Sequence, residues 1–196
     1  MPRRTGTERL EARQARLARH AAEADPEVVL NAAARFLELR SRSVEEVRRH
    51  LTAARFPASL VEAAIGRLLE LGMLDDTAFA RAWVESRDRA RPRGAHALAQ
   101  ELSRKGIDRE IVAAVLAARD DATAGDDTSD VGVGASADEL AAERLLRKSR
   151  APLLRIEDPR TRRQRAYALL ARNGFDPEVC RNVSVRLTAT EPGPDD

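Results

Sequence analysis

The acidic pair Asp75-Asp76 is the first place where this 196-residue sequence could carry chemistry. Two carboxylates can serve acid–base or metal chemistry. However, neighbouring side chains at a helix start point in different directions, and no second acidic or histidine cluster joins this pair. Aspartate is a common helix N-cap, because its carboxylate accepts from free backbone N–H groups. We therefore interpret the pair as a helix cap.

Other groups that could bind a metal or act as a nucleophile lack the spacing for it. Asp126, Asp127 and Asp130 do not fit an EF-hand loop, and a solvated linker explains them better. The three histidines are scattered and none has metal-ligand spacing. Cys180 stands where a related segment has valine, which favours a small core residue over a nucleophile. No Walker loop, GxGxxG or GxSxG motif is present, so we predict a non-enzyme without metal or cofactor.

The arginines are harder to explain as surface charge alone. Four of them surround Pro92 and Gly94, and a second group lies between residues 144 and 165, where Arg160, Arg163 and Tyr167 share one helix face. An anionic partner surface is the interpretation we prefer, with solubilising charge as the alternative. The candidate binding residues are Arg87, Arg89, Arg91, Arg93, Arg144, Arg147, Lys148, Arg150, Arg160, Arg163, Arg165 and Tyr167.

Charge is unevenly distributed along the chain although the total is only +2. Residues 1–20 carry a balance of +4, residues 119–143 carry −7, and residues 144–187 carry +8. This pattern predicts a basic arm, an acidic connector and a basic C-terminal module. Phe79 and Trp83 lie on a predicted apolar helix face with Ala82 and Ser86, and we interpret these rings as core rather than as a base-stacking platform.

Helix signals must position these groups, and they are frequent. Pro26 suits the first turn of one helix, and Ser43 with Glu46 forms a capping box for the next. Gly72 ends a third apolar-periodic run, and a helix from near Pro92 is expected to end at Gly106. Aromatic residues make up only 3% of the chain, which favours slim helical layers over one thick core.

A repeated segment organises the helices. Leu51-x-x-x-Arg55-Phe56 recurs as Leu102-x-x-x-Gly106-Ile107 and as Leu170-x-x-x-Gly174-Phe175, at spacings of 51 and 68 residues. Each copy predicts a helix with a glycine-type C-cap, a tucked apolar residue and a further helix. Arginine at position 55 would be strained at positive φ, so we expect the first turn to be built differently.

The repeat divides the chain into predicted ranges. They are a flexible N-terminal arm (1–25), repeat 1 (26–74), repeat 2 (75–119), an acidic flexible linker (120–137), a basic repeat 3 (138–187) and a disordered tail (188–196). One cysteine excludes an internal disulfide, and no apolar run is long enough to cross a bilayer. We expect a cytoplasmic monomer.

The segment from Gly72 to Ile107 resembles the RecX family of bacterial regulators of the RecA recombinase. The matching residues are Gly72-Met73-Leu74-Asp75-Asp76, Phe79-Ala80, Trp83-Val84, the Arg-Pro-Arg-Gly connector at 91–94, Glu101-Leu102 and Lys105-Gly106-Ile107. The resemblance implies an elongated, curved, all-α array of three three-helix repeats. It also implies binding to RecA and to RecA–DNA filaments, with modulation, mainly inhibition, of recombinase, ATPase and coprotease activities in DNA repair and the SOS response.

Two other kinds of protein remain open from the sequence. One is a helical protein that binds DNA without sequence preference and without RecA. The other is an adaptor for an acidic protein partner. The sequence also leaves open whether a RecA regulator would lie in the filament groove or cap its end.

Overall fold

The structure, a computed structural model, describes residues 25–124 and 135–189. All regular structure in these ranges is helical, which confirms the prediction of an all-α helical repeat. The helices are α1 (Pro26–Glu38), α2 (Val44–Ala53), α3 (Ala58–Glu70), α4 (Asp76–Ala90), α5 (Ala95–Arg104), α6 (Arg109–Ala124), α7 (Ala137–Lys148), α8 (Arg150–Leu154), α9 (Pro159–Arg172) and α10 (Pro177–Ala189).

Short polar side chains start most of these helices. Ser43 and Glu46 form the predicted capping box at α2. Asp75 is the cap of α4, because its Oδ1 accepts from the backbone N–H of Ala78 at 2.9 Å. Asp158 caps α9 by accepting from two backbone N–H groups of the first turn. These caps satisfy donors that have no partner inside the helix.

The first compact unit comprises residues 25–79 and 105–107. Its core is formed by Val29, Ala33, Val47, Leu51, Val61, Ala64, Ile65, Leu68 and Leu74. Leu69 lies outside this core, since 46% of its surface is exposed. It directly follows Leu68, the last buried residue of α3.

The second unit comprises residues 80–104, 108–124 and 135–189. Its main cluster packs α7, α8, α9 and α10 around Ala141, Ala142, Leu146, Leu153, Ala166, Leu170, Phe175, Cys180 and Val183. Cys180 is fully buried, as predicted, and burial raises the pKa of its thiol. In α4 the predicted Phe79 is buried together with Ala80 and Val84, and Trp83 is half-buried, whereas the predicted Ala82 and Ser86 are exposed.

The repeated turns all share one backbone conformation. Arg55 has φ 64°, Gly106 and Gly174 both have φ 79°, and Gly72 has φ 66°. At the first turn the N–H of Phe56 donates to the carbonyl of Leu51 at 3.3 Å, the long hydrogen bond of a Schellman motif. The expectation of a differently built first turn was therefore wrong. The arginine adopts the strained conformation, at about 1–2 kcal/mol for a non-glycine residue.

A second repeated arrangement appears where α2 begins, within the first unit. The Ser43 hydroxyl donates to the carbonyl of Lys105 at 2.6 Å, and the N–H of Val44 donates to Asp76 Oδ1 at 2.9 Å. A Cβ on Gly106 would overlap the side chain of Glu45. The start of α2 thus lies directly on the turn that follows α5.

The same arrangement occurs in the second unit where α5 begins. The N–H of Gly94 donates to the carbonyl of Asn173 at 3.1 Å, and the N–H of Ala95 donates to both carboxylate oxygens of Asp138 at 3.0 Å. A Cβ on Gly174 would overlap Ala97. The starts of α2 and α5 are therefore alike. In each, a carboxylate distant in sequence accepts from a backbone N–H group, and the helix start packs closely against a turn that contains a glycine.

Two helix boundaries differ from the predictions, and one short helix was not predicted. Helix α5 begins at Ala95 rather than near Pro92, which lies buried before it. The connector after α7 contains the short helix α8, because Pro152 falls in a first turn where its missing N–H is not needed. Helix α6 continues to Ala124, past the predicted start of the linker. The N-terminal arm, most of the linker and most of the tail lie outside the described residues.

We predict that Gly94→Ala lowers the free energy of unfolding by about 2 kcal/mol or more, because its Cβ would overlap the backbone of Gly174 and Phe175, which cannot move aside cheaply. Gly66→Ala in α3 is the matched control, since nothing lies within 4 Å of its Cβ. There alanine should stabilise by about 1 kcal/mol through helix propensity. Urea denaturation of both variants measures the difference, and equal effects would contradict the close approach.

Candidate partner interface

The arginine-rich connector after α4 is partly neutralised by one carboxylate. Glu101 Oε2 accepts from Arg87 Nε at 2.7 Å and from the Trp83 indole N–H at 2.9 Å, and Arg93 Nε lies 3.7 Å from Glu101 Oε1. The Arg87 guanidinium also stacks 4.5 Å from the Trp83 ring centroid. Arg93 donates to Asn173 Oδ1 at 2.9 Å. Arg87 and Arg93 therefore hold the connector in place, and Trp83 is half-buried beside them.

Lys148 brings the two basic groups of the sequence together. Its ammonium donates to the backbone carbonyls of Arg89 at 3.1 Å and Ala90 at 2.9 Å, which are free carbonyls at the end of α4. A cation there also meets the negative end of the helix dipole. The last turn of α7 consequently lies against the connector, although 58 residues separate Lys148 from Ala90.

Exposed cations surround this contact. Arg89 and Arg91 flank Ala90, and Arg147 and Arg150 flank Lys148. Arg91, Arg147 and Arg150 make no side-chain hydrogen bond or ion pair within residues 25–124 and 135–189. Arg89 lies 3.9 Å from Glu85 and is 77% exposed. We call these five residues the connector cluster: Arg89, Arg91, Arg147, Lys148 and Arg150.

The remaining candidates lie elsewhere on the second unit. Arg144 is exposed on α7, and Arg160, Arg163 and Arg165 are exposed on α9. At about 100° per residue, Arg160 and Arg163 lie on one side of α9 and Arg165 lies about 160° from Arg163. The three arginines thus do not form one surface. We refer to them together as the α9 cluster. Tyr167 shares the side of Arg160 and Arg163, and its ring packs on the core.

Arg162 differs from the other arginines of α9 named above because its side chain is buried. Only 6% of its surface is exposed. Its Nε donates to the carbonyl of Ile156 at 3.0 Å and its Nη2 to the carbonyl of Glu157 at 3.2 Å. It therefore anchors the segment before α9 and is not available to a partner.

Arg119 supports the connector from below and was missed in the sequence. Its side chain is 8% exposed and donates to Asp88 through Nε and Nη2 at 2.9 and 2.8 Å, and to Asp138 through Nη1 at 2.6 Å. Burial opposes the charge, but the bonds and negative charges of the two aspartates outweigh it and raise the pKa of the guanidinium. Because Asp138 also caps α5, this network ties α4, α6 and α7 to the start of α5.

The first unit handles its cations differently. Arg48 pairs with Glu45 and Glu62, Arg49 pairs with Glu45, and Lys105 pairs with Glu46 at 2.9 Å. Its described residues contain eight Lys and Arg against nine Asp and Glu, whereas the second unit has 20 against 14. The excess positive charge of the described chain therefore belongs to the second unit.

The described ranges hold neither a candidate metal site nor a membrane-spanning helix. No group of three or more His, Cys, Asp or Glu side chains is placed to hold a metal ion there. Among the helices described, none is long and apolar enough to cross a membrane.

The fold and the repeated junctions define a class of helical repeat proteins built from RecX domains. Residues 30–68 match the family model for the first three-helix domain of RecX, and residues 75–116 match that for its second three-helix domain. The crystal structure of RecX from Lactobacillus salivarius has a TM-score of 0.68 with 19% identity, covering 84% of this chain and 97% of that one. A second crystal structure, of regulatory protein RecX, has a TM-score of 0.64 with 17% identity over 94% of this chain and 81% of that one.

Sequence relatives extend the match. The regulatory protein RecX of Mycobacterium avium (strain 104) is 33% identical over 157 residues, 79% of this chain and 82% of the relative. That of Mycobacterium ulcerans (strain Agy99) is 33% identical over 80% of this chain and 83% of the relative. The chain belongs to the RecX family of regulatory proteins.

We predict that Arg119→Met lowers the free energy of unfolding by about 3–5 kcal/mol at pH 7, because it leaves Asp88 and Asp138 buried without their cation. Urea denaturation of the wild type and the variant measures the loss.

Arg109→Met is the control for this experiment, since the Arg109 side chain is exposed and makes no hydrogen bond or ion pair with the described residues. Its effect should stay within about 0.5 kcal/mol. A loss in Arg119→Met no larger than that of Arg109→Met would show that the two aspartates do not depend on Arg119.

Proposed function

We propose that this chain binds RecA filaments on DNA in the cytoplasm and restrains them, inhibiting the recombinase, ATPase and coprotease activities. Membership of the RecX family supports a regulatory role. The observation that carries the finer proposal is the connector cluster, where cations from two distant segments lie around one contact and where Arg91, Arg147 and Arg150 make no ion pair with any residue that the structure describes. An ATP-driven filament exposes the same groups at every subunit, and an array that spans neighbouring subunits would hinder their rearrangement.

The division between paired and unpaired cations supports this placement of the interface. Arg87, Arg93 and Lys148 hold the connector and α7 together through bonds that are satisfied within the molecule. Arg91, Arg147 and Arg150 contribute nothing comparable to the fold, yet they lie around the rigid contact that the other three build. Cations fixed on a rigid base lose little entropy on binding, which favours recognition of carboxylates or phosphates.

Two ways of restraining a filament differ in stoichiometry. If the chain lies in the groove, inhibition should saturate near one molecule for every few RecA subunits. If it caps growing ends, inhibition should occur at a small fraction of that amount. Filament length by electron microscopy distinguishes the two, because capping shortens filaments and groove binding does not.

A DNA-binding function without RecA is the second candidate, and the exposed α9 cluster favours it. Arg160 is the second residue of α9 and lies in its first turn, where a cation faces the unfavourable end of the helix dipole, and Arg163 is the fifth residue, at the start of the second turn. A contact with phosphate would explain why arginines stand near the start of α9. An adaptor for an acidic protein is a third possibility that the same charges would serve. We propose no enzymatic activity and a monomeric state.

The central test is the triple substitution of Arg91, Arg147 and Arg150 by glutamine. We expect the concentration for half-maximal inhibition of RecA ATPase to rise about tenfold, since three exposed ion pairs at about 0.5 kcal/mol each amount to about 1.4 kcal/mol. Thermal stability should not change. Replacing Arg81, Arg109 and Arg181 by glutamine removes the same charge from other exposed positions of the second unit and should leave inhibition within about twofold.

Failure of the wild-type chain to alter RecA ATPase or filament length would refute the proposed function. Equal effects of the two triple variants would keep the function and show that only net charge matters, so that the connector cluster is not the interface.

The DNA candidate is tested by replacing Arg160, Arg163 and Arg165 by glutamine. We expect unchanged or slightly higher thermal stability, because cations leave the positive end of a helix. Since only Arg160 and Arg163 share a side, a DNA-binding α9 cluster should lose two phosphate contacts, and the log–log salt slope for DNA alone should become shallower by about 1.4–1.8. Fluorescence anisotropy at several salt concentrations measures the slope, and an unaltered slope would exclude this surface.

A further inference from the structure

Arg55 holds a backbone conformation that glycine would hold without strain. Its φ of 64° lies in the left-handed region, and its N–H donates to the carbonyl of Thr52 at 2.9 Å within the Schellman turn. The turn itself needs only a residue that tolerates this φ. Its side chain is exposed and makes no hydrogen bond or ion pair with any residue that the structure describes. Nothing inside the described molecule therefore explains the choice of arginine.

The equivalent positions show what else this turn can do. At Gly106 and Gly174 the start of another helix packs closely against the turn, since a Cβ at either glycine would overlap that helix start. Those helix starts bring N–H groups and the positive end of a dipole to the turn. At position 55 a cation occupies the corresponding place, and it would repel such a helix start. The first turn is thus unsuited to another repeat and suited to a negatively charged group.

The surroundings of Arg55 indicate which negative group fits. The described residues of the first unit carry eight Lys and Arg against nine Asp and Glu, and Arg48, Arg49 and Lys105 are already paired. A nucleic-acid backbone requires several unpaired cations along its path. Arg55 and Arg35 are the exposed cations of these described residues that make no hydrogen bond or ion pair, and a single guanidinium can instead bind one carboxylate through two parallel hydrogen bonds.

We propose that Arg55 is an interaction residue that binds a carboxylate on the surface of a protein partner, at the N-terminal end of the helical repeat. The strain at this residue is retained because the bond to the partner requires the side chain. This inference rests on the proposed function, in which the partner is RecA. It adds a second contact, to protein, on the unit that lacks the connector cluster.

The test compares Arg55→Gly with Arg55→Lys and with Arg35→Gln. Glycine removes the strain and the guanidinium, lysine keeps the charge but not the bidentate geometry, and Arg35→Gln removes one exposed unpaired cation from the same unit. Affinity is measured by anisotropy on RecA filaments assembled on labelled single-stranded DNA with a non-hydrolysable nucleotide, and on the same DNA without RecA.

We expect Arg55→Gly to raise the melting temperature by about 2–4 °C and to weaken binding to the filament at least fivefold. Arg55→Lys should weaken it less, and Arg35→Gln should leave it within twofold. Filament binding by Arg55→Gly as tight as that of wild type would overturn the inference, and so would an equal loss on DNA alone, which would indicate phosphate as the partner group. If wild type itself does not bind the filament, the proposed function fails, and that outcome is distinct from both.

Discussion

Helices α2 and α5 each begin with a backbone N–H group that no residue of the same helix can satisfy. In α2 the N–H of Val44 finds the carboxylate of Asp76, and in α5 the N–H of Ala95 finds that of Asp138. Each bond forms only if the helix start reaches the following glycine turn, where Gly106 or Gly174 leaves room. The hydrogen bond to the carboxylate and the close packing of the helix start on the glycine turn therefore depend on each other. The same arrangement is found at α2 and at α5 because both features are present at each.

Electrostatics divides the arginines into those that build the fold and those that remain exposed. Arg119 is buried between two aspartates, Arg162 holds two backbone carbonyls, and Arg87 shares Glu101 with an indole N–H. Desolvating these cations is costly unless every bond is made, so they are fixed in position. Arg91, Arg147 and Arg150, which are exposed around Lys148, make no such bonds with the described residues. Their charge is available because the structural arginines already hold the connector rigid.

Much of the fold could be predicted because its signals are local. The Ser43 capping box and the glycine turns follow from spacings of three to five residues, and the burial of Cys180 follows from its position opposite a valine in a related segment. The pairing of cations could not be predicted, because the partners are distant: Arg87 and Glu101 are 14 residues apart, and Lys148 and Arg89 are 59 apart. Helix period alone also misjudged α4, where Ala80 and Val84 rather than Ala82 and Ser86 are buried. Arg55 shows that residue type does not decide a turn when the flanking hydrogen bonds fix φ.

The N–H of Ala137 donates to Asp120 Oδ1 at 3.3 Å, so the chain leaves α6 and enters α7 at nearly the same point. The sequence between these anchors closes a loop whose ends are set by residues on either side of it. The hydrogen bond between Asp120 and Ala137 therefore fixes where α7 begins relative to α6 through described residues alone, whatever the length of the sequence between them.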